Sequence, residues 1–95
     1  MAKRRKPHSS TPTWRREYRG EIDYIRQDSP SAALLVMNRI HAAIREVCLE
    51  PGIGRPGLIP GTREYPIRKT RLLLIYLEDA EEIVLLNCWH TSRQR

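Results

Sequence analysis

"GTREYPIRKTRLLLIYLEDAEEIVLLNCWH", residues 61–90, holds two apolar runs, Leu72–Leu77 and Ile83–Trp89, separated by an acidic stretch. A strand with one wet face alternates apolar and polar side chains, whereas these runs are apolar on both parities. Three strands are expected here, Thr62–Arg68, Arg71–Glu78 and Glu82–His90, and the joints KT and DAEE are short enough for hairpins. Pro66 has no amide hydrogen to give to a ladder, so its strand should lie at an edge or carry a bulge. Strict alternation sets Leu72, Leu74 and Tyr76 against Leu73, Ile75 and Leu77, and Ile83, Leu85 and Trp89 against Val84, Leu86 and Cys88. Either set alone would furnish a core.

Upstream, Trp14, Tyr18, Ile22 and Ile25 recur at helical spacing, with Arg16, Glu17, Arg19 and Asp23 on the other face. Gly20 weakens that helix by about 1 kcal/mol relative to alanine. "QDSPSAA" is a break and a restart: Asp28 or Ser29 can cap a second helix, and Pro30 fits its first turn. The stripe Ala33, Met37, Ile40, Ile44 and Val47 predicts that helix over Pro30–Leu49. "EPGIGRPGLIPG" ends it, because its three prolines and four glycines permit only loop and turns. Two helices across so short a break pair as a hairpin. The expected fold is α+β, an N-terminal helical hairpin packed on a small, mainly antiparallel sheet of three to four strands. A short strand near Thr11–Trp14 has only thin support.

A helical hairpin covers one face of such a sheet and nothing is left for the other. A contiguous apolar patch is rarely left in water by a soluble monomer. Burying three such side chains contributes roughly 5–9 kcal/mol. A partner chain, or a second copy, is therefore expected on the uncovered face.

The 95 residues make one domain, read as a basic flexible tail over 1–13 and a single folded unit over 14–95. The net charge of +6 is local. Residues 1–19 hold seven basic side chains against Glu17, while residues 20–95 balance at ten of each sign. Such a tail can add salt-sensitive affinity for an acidic surface, although a solvated end is the commoner use. No apolar run approaches the ~20 residues of a membrane span, and no apolar segment follows the basic N-terminus as in a secretory signal. Cys48 and Cys88 lack metal-ligand or CxxC spacing and read as reduced core thiols, so the cytoplasm is the expected location. His8 and His41 have no metal-ligand company, and "GIGRPG" lacks the strand and helix that flank a nucleotide loop. No metal and no cofactor are expected.

Three stretches together resemble a known family: "WRREYRGEIDYI", "SPSAALLVMNRIHAAIREVCLEPGIGRPG" and "IPGTREYPIRKTRLLLIYLEDAEEIVLLNCWHTSRQ". They are similar to the ParE/RelE superfamily of type II toxin–antitoxin toxins, more closely to its ParE-like branch, over about residues 14–93. The Gly-x-Gly-Arg-Pro-Gly loop and the Pro-Gly-Thr-Arg-Glu strand start are the most specific parts. The resemblance implies the helical-hairpin-on-sheet fold, often with a first strand before the hairpin. It also implies a cognate antitoxin whose flexible segment buries apolar surface on the toxin. Leu73, Ile75, Leu77, Val84, Leu86 and Trp89 are the candidates for that contact. A homodimer or a toxin–antitoxin heterotetramer is compatible with it.

ParE-like members poison DNA gyrase, while RelE-like members cut mRNA on the ribosome. RNA cleavage without metal needs a base, an acid and cations around the phosphorane. The RelE pattern places an arginine where this chain has Leu73, and lysines where it has Glu64 and Pro66. No tyrosine follows His90. Inhibition of gyrase by binding, with no catalytic residue, is the expectation that follows from the resemblance. The candidates for target contact are Arg63, Arg68, Lys69, Arg71, His90 and Arg93. The alternatives are a ribonuclease using His90, Arg63 and Arg93, or an inactive antitoxin-binding module.

Overall fold

The computed structural model describes residues 4–92. Helix α1 runs Pro12–Asp28. Thr11 caps it, its Oγ1 accepting from the Trp14 amide at 3.0 Å, with Pro12 in the first turn, where no amide partner is needed. Thr11 therefore starts a helix, and the strand expected near Thr11–Trp14 is absent there. Ser29 serves both helices. Its amide closes α1 on the Ile25 carbonyl at 3.0 Å, and its Oγ caps α2 (Pro30–Leu49) by accepting from the Ala32 amide at 3.1 Å. The buried stripe of α2, Ala33, Ile40, Ile44 and Val47 with Met37 at its margin, is the one the periodicity predicts.

Five strands form one sheet in the order β1-β5-β4-β3-β2: β1 His8–Ser10, β2 Arg55–Pro56, β3 Thr62–Pro66, β4 Leu72–Glu78 and β5 Ile83–His90. The β3–β4–β5 meander is antiparallel as expected. Two short strands exceed the three to four expected. One is β2, which pairs only Arg55–Pro56 with Arg63–Glu64 and leaves Pro66 beyond its reach on an open edge. The other is β1, which lies parallel to β5. The flexible tail expected over residues 1–13 is not seen from Lys6 onward. The Lys6 amide donates to the Cys48 carbonyl, the Ile83 amide to the Pro7 carbonyl and the Thr11 amide to the Leu85 carbonyl, at 2.9–3.0 Å. An exposed strand edge binds backbone whatever the side chains, and composition does not reveal such pairing.

One irregularity changes which side chains share a face. Ile75 pairs with Asn87 but Tyr76 pairs with Leu85, so Leu86 is an extra residue in β5. Beyond the bulge the alternation switches phase. Cys88, not Trp89, joins Ile83 and Leu85 on the inner face, and Trp89 joins Val84 and Leu86 on the outer one. Strict alternation fails here for that reason. The inner face, Leu72, Leu74, Tyr76, Ile83, Leu85 and Cys88, packs against Trp14, Ile22, Ile40 and Val47 of the helices.

Past Ser10 the β5 edge has no strand beside it, and α1 takes that place. Glu17 Oε1 accepts from the Cys88 amide and from Asn87 Nδ2, both at 3.1 Å. Glu17→Ala would leave the Cys88 amide without its acceptor, and a hydrogen bond to a charged group is worth about 1.5–3 kcal/mol. Urea unfolding of this variant should show a loss of about 2 kcal/mol, and Glu17→Gln, which keeps an acceptor oxygen, a smaller one.

Candidate functional site

Among the described residues no helix lies on the outer face of the sheet. Ile75, Leu77, Val84, Leu86 and Trp89 stand there half-buried, and the β2–β3 loop lies beside Ile75, Leu86 and Trp89. Leu73 is an exception among the expected contact residues. Set between its register partners Pro66 and Trp89, it is buried, with 6% of its surface exposed. The loop contributes Leu58 and Ile59, 72% and 69% exposed. With Ile75, Leu86 and Trp89 they wall a groove of about 220 Å³, whose polar margin is Thr62, Glu64 and Asn87. That volume falls short of the ~300–1,000 Å³ usual for a small-molecule pocket and suits side chains of a partner segment. Leu58 and Ile59 were missed by the sequence reading. The proline–glycine run marks a loop but does not say over which face it hangs.

The loop is held firmly. Tyr76 Oη, fully buried, accepts from the Gly54 amide at 3.0 Å and donates to the Pro51 carbonyl at 2.7 Å. A Cβ on Gly54 would stand 2.7 Å from that hydroxyl and 3.0 Å from the Glu64 carbonyl oxygen, so glycine is required by close approach. Gly61, at φ +87°, closes the loop into β3. Burial holds the Tyr76 hydroxyl above its ordinary pKa, against the opposing effects of the Gly54 amide and the Arg63 charge. Arg55 reaches Glu64 at 3.3 Å and balances a carboxylate buried at the groove margin.

The expected target-contact residues fall into separate places. Arg63 points to the inner side, where Nη1 donates to the Gly54 carbonyl at 2.8 Å, so it anchors the loop. Arg68, Lys69 and Arg71 are exposed at the β3–β4 turn, which Thr70 braces through the Ile67 carbonyl and the Leu72 amide. His90 sits at the same end of the sheet, beside Arg71 and near Glu21 and Tyr24. Its Nδ1 accepts from the Ser92 amide at 3.2 Å and meets Ser92 Oγ at 2.6 Å. Those contacts occupy the Nδ1 lone pair and place the proton of the neutral ring on Nε2. Arg93 lies outside the described residues. Arg63 pairs with Tyr76 on one side of β4, and His90 with Leu72 on the other. Strand spacing and rise put their backbones roughly 16 Å apart. One phosphate would not be gripped by both.

Among the described residues no group of three or more His, Cys, Asp or Glu side chains could hold a metal ion. No described helix is long and apolar enough to cross a membrane.

With this geometry in view, comparison with known proteins decides the family. The family model described as the ParE toxin of the type II toxin–antitoxin system parDE matches residues 10–95. The chain belongs to the ParE toxin family. It is 32% identical over 71 residues to "Putative toxin Y4kP" of Sinorhizobium fredii, covering 75% of this chain and 73% of that one. Its fold is similar to a solved chain of the chromosomal ParDE TA system from P. aeruginosa, with a TM-score of 0.79 at 19% identity. That match covers 90% of this chain and 95% of the other. Membership in a toxin–antitoxin family implies a cognate antitoxin for this ParE-family chain.

Proposed function

We propose that this ParE-family toxin inhibits DNA gyrase by binding, in the cytoplasm, and is neutralised when an antitoxin segment lays apolar side chains along the outer sheet face. The uncovered groove of Leu58, Ile59, Ile75, Leu86 and Trp89 carries the antitoxin half of this reading. A segment that inserts one or two large apolar residues there removes from water the surface a soluble monomer tolerates least. The gyrase half rests on the resemblance to the ParE-like branch. Support comes from how far apart the groups a ribonuclease would use lie: Arg63 is committed to a backbone carbonyl and His90 stands at the other end of the sheet.

Expression without antitoxin, followed by growth, supercoiling and in vitro translation assays, tests it. Loss of supercoiling with intact mRNA is expected. Cleaved mRNA on ribosomes would replace the reading with a ribonuclease, and absence of toxicity with an inactive antitoxin-binding module. His90→Ala should leave toxicity within about threefold of the parent. A collapse of toxicity with an unchanged melting curve would assign His90 a catalytic part, since general acid–base groups contribute about 10²–10⁴-fold.

A further inference from the structure

The basic excess of the chain is confined to its first nineteen residues, and the described part of that segment includes β1 and the first half of α1. The Lys6 amide bonds the Cys48 carbonyl at 3.0 Å and fixes the N-terminal segment against the end of α2. Arg5, His8, His41 and Arg45 thereby surround one pocket of about 640 Å³, floored by Pro7, Ile44 and Cys48. No carboxylate lines it. Lys6 is already engaged, by Glu78 at 2.9 Å and the Asp79 carbonyl, but among the described residues Arg5 and Arg45 have no ion-pair partner.

A second groove, of about 530 Å³, lies beside α1 with Asp23 among its lining residues, and Tyr18, which lines it, has its Oη 3.4 Å from Nε2 of His41, which lines the first. It presents Arg15 and Arg19, both exposed. Arg15 is steadied by the Ser10 carbonyl and hydroxyl, which leave its charge uncompensated. Arg26 is partly neutralised by Asp23 at 2.9 Å.

We propose that this double groove binds the phosphodiester backbone of duplex nucleic acid, without reading its sequence. The cations are divided between two grooves, Arg5 and Arg45 on one and Arg15 and Arg19 on the other, whereas a mononucleotide would occupy one. Arg15 and Arg19, and likewise His41 and Arg45, are one helical turn apart, a rise of about 6 Å, close to the run of two phosphates along a strand. Arginine forks and an interleaved tyrosine suit phosphate and sugar, which carry no sequence information. The double groove shares no residue with the apolar groove of the outer face, so a toxin occupied by antitoxin keeps it open. The inference is independent of the gyrase reading.

Fluorescence polarisation of a labelled 20-base-pair duplex of mixed sequence, titrated with the full chain, tests it. Four arginine contacts give a log affinity–log salt slope of about −3.6, or a loss of about 150-fold between 50 and 200 mM salt. The double variant Arg5→Ser/Arg45→Ser should weaken binding at least tenfold at 50 mM and bring the slope near −1.8. A charge-matched variant outside the groove, Arg68→Ser/Lys69→Ser, should change the slope by less than half a unit. All four positions are exposed, and a circular dichroism melt of each variant confirms that its fold is kept. Equal losses in the two double variants would reduce the effect to net charge and overturn the proposal. So would a duplex that fails to bind while a polyglutamate peptide binds through Arg5 and Arg45, which would assign the groove to an acidic protein.

Discussion

Replacing Leu86 by aspartate is expected to weaken antitoxin binding by at least about 100-fold while leaving the toxin folded. Leu86 is the extra residue of the β5 bulge and lies on the wall of the outer groove, half-buried and outside the core between sheet and helices. In the free toxin a carboxylate there can turn toward water, so the melting temperature should fall by only a few degrees. In the complex the same carboxylate would be stripped of water among apolar side chains, which costs several kcal/mol. Central apolar anchors dominate interface energies, and a 100-fold loss corresponds to about 2.7 kcal/mol. Calorimetric titration of variant and parent with the cognate antitoxin, with thermal melts beside it, measures both quantities. An unchanged affinity would remove the outer groove from the interface.

Tyr76→Phe is expected to cost about 2–3 kcal/mol of stability, close to a 10 °C drop in melting temperature for a domain of this size. The change removes one oxygen but strands the buried Gly54 amide, with a penalty of about 1–3 kcal/mol, and the partly buried Pro51 carbonyl, with a smaller one. Partial access of water to the loop keeps the sum below the maximum. The hydroxyl also sets a pH dependence. Burial raises its pKa in the fold above the unfolded value near 10. Its contribution is therefore complete below pH ~10 and falls as pH rises through the folded value, because the unfolded chain then gives up the proton first. Urea midpoints measured between pH 8 and 11 should decline in the parent and decline less in Tyr76→Phe. Tyr18 and Tyr65, also raised, the first chiefly by burial and the second chiefly by its hydrogen bond to Glu46, keep some of the decline in the variant.

Much of this architecture is legible in the chain because apolar periodicity is long there. The α2 stripe and the β4 run extend over many residues, and both emerge where periodicity places them. What escapes is local pairing without a side-chain signature. β1 has three residues and β2 two, and each is held by backbone hydrogen bonds to an edge. The bulge at Leu86 escapes because inserting one residue leaves an apolar run looking unbroken while it exchanges the faces of Cys88 and Trp89. Leu73 is buried because Pro66 and Trp89 flank it across two register pairs, a relation no single strand reveals. Thr11-Pro12 was legible as a helix start, since threonine caps and proline fits the first turn, yet the expected strand was placed over it. For the candidate site, residue type located the apolar face but not the role of Arg63. A guanidinium beside a glycine-rich loop can meet a ligand or a carbonyl with equal ease, and here it meets Gly54.

The central claim is that an antitoxin segment covers the outer sheet face. Hydroxyl-radical footprinting of the toxin alone and in complex with its antitoxin, read by mass spectrometry, addresses it directly. Oxidation of Leu58, Ile59 and Trp89 should fall at least fivefold in the complex, while that of Tyr24, Leu34 and Leu35, exposed on the helices, stays unchanged. Protection of the helical residues with Leu58, Ile59 and Trp89 still oxidised would contradict the account.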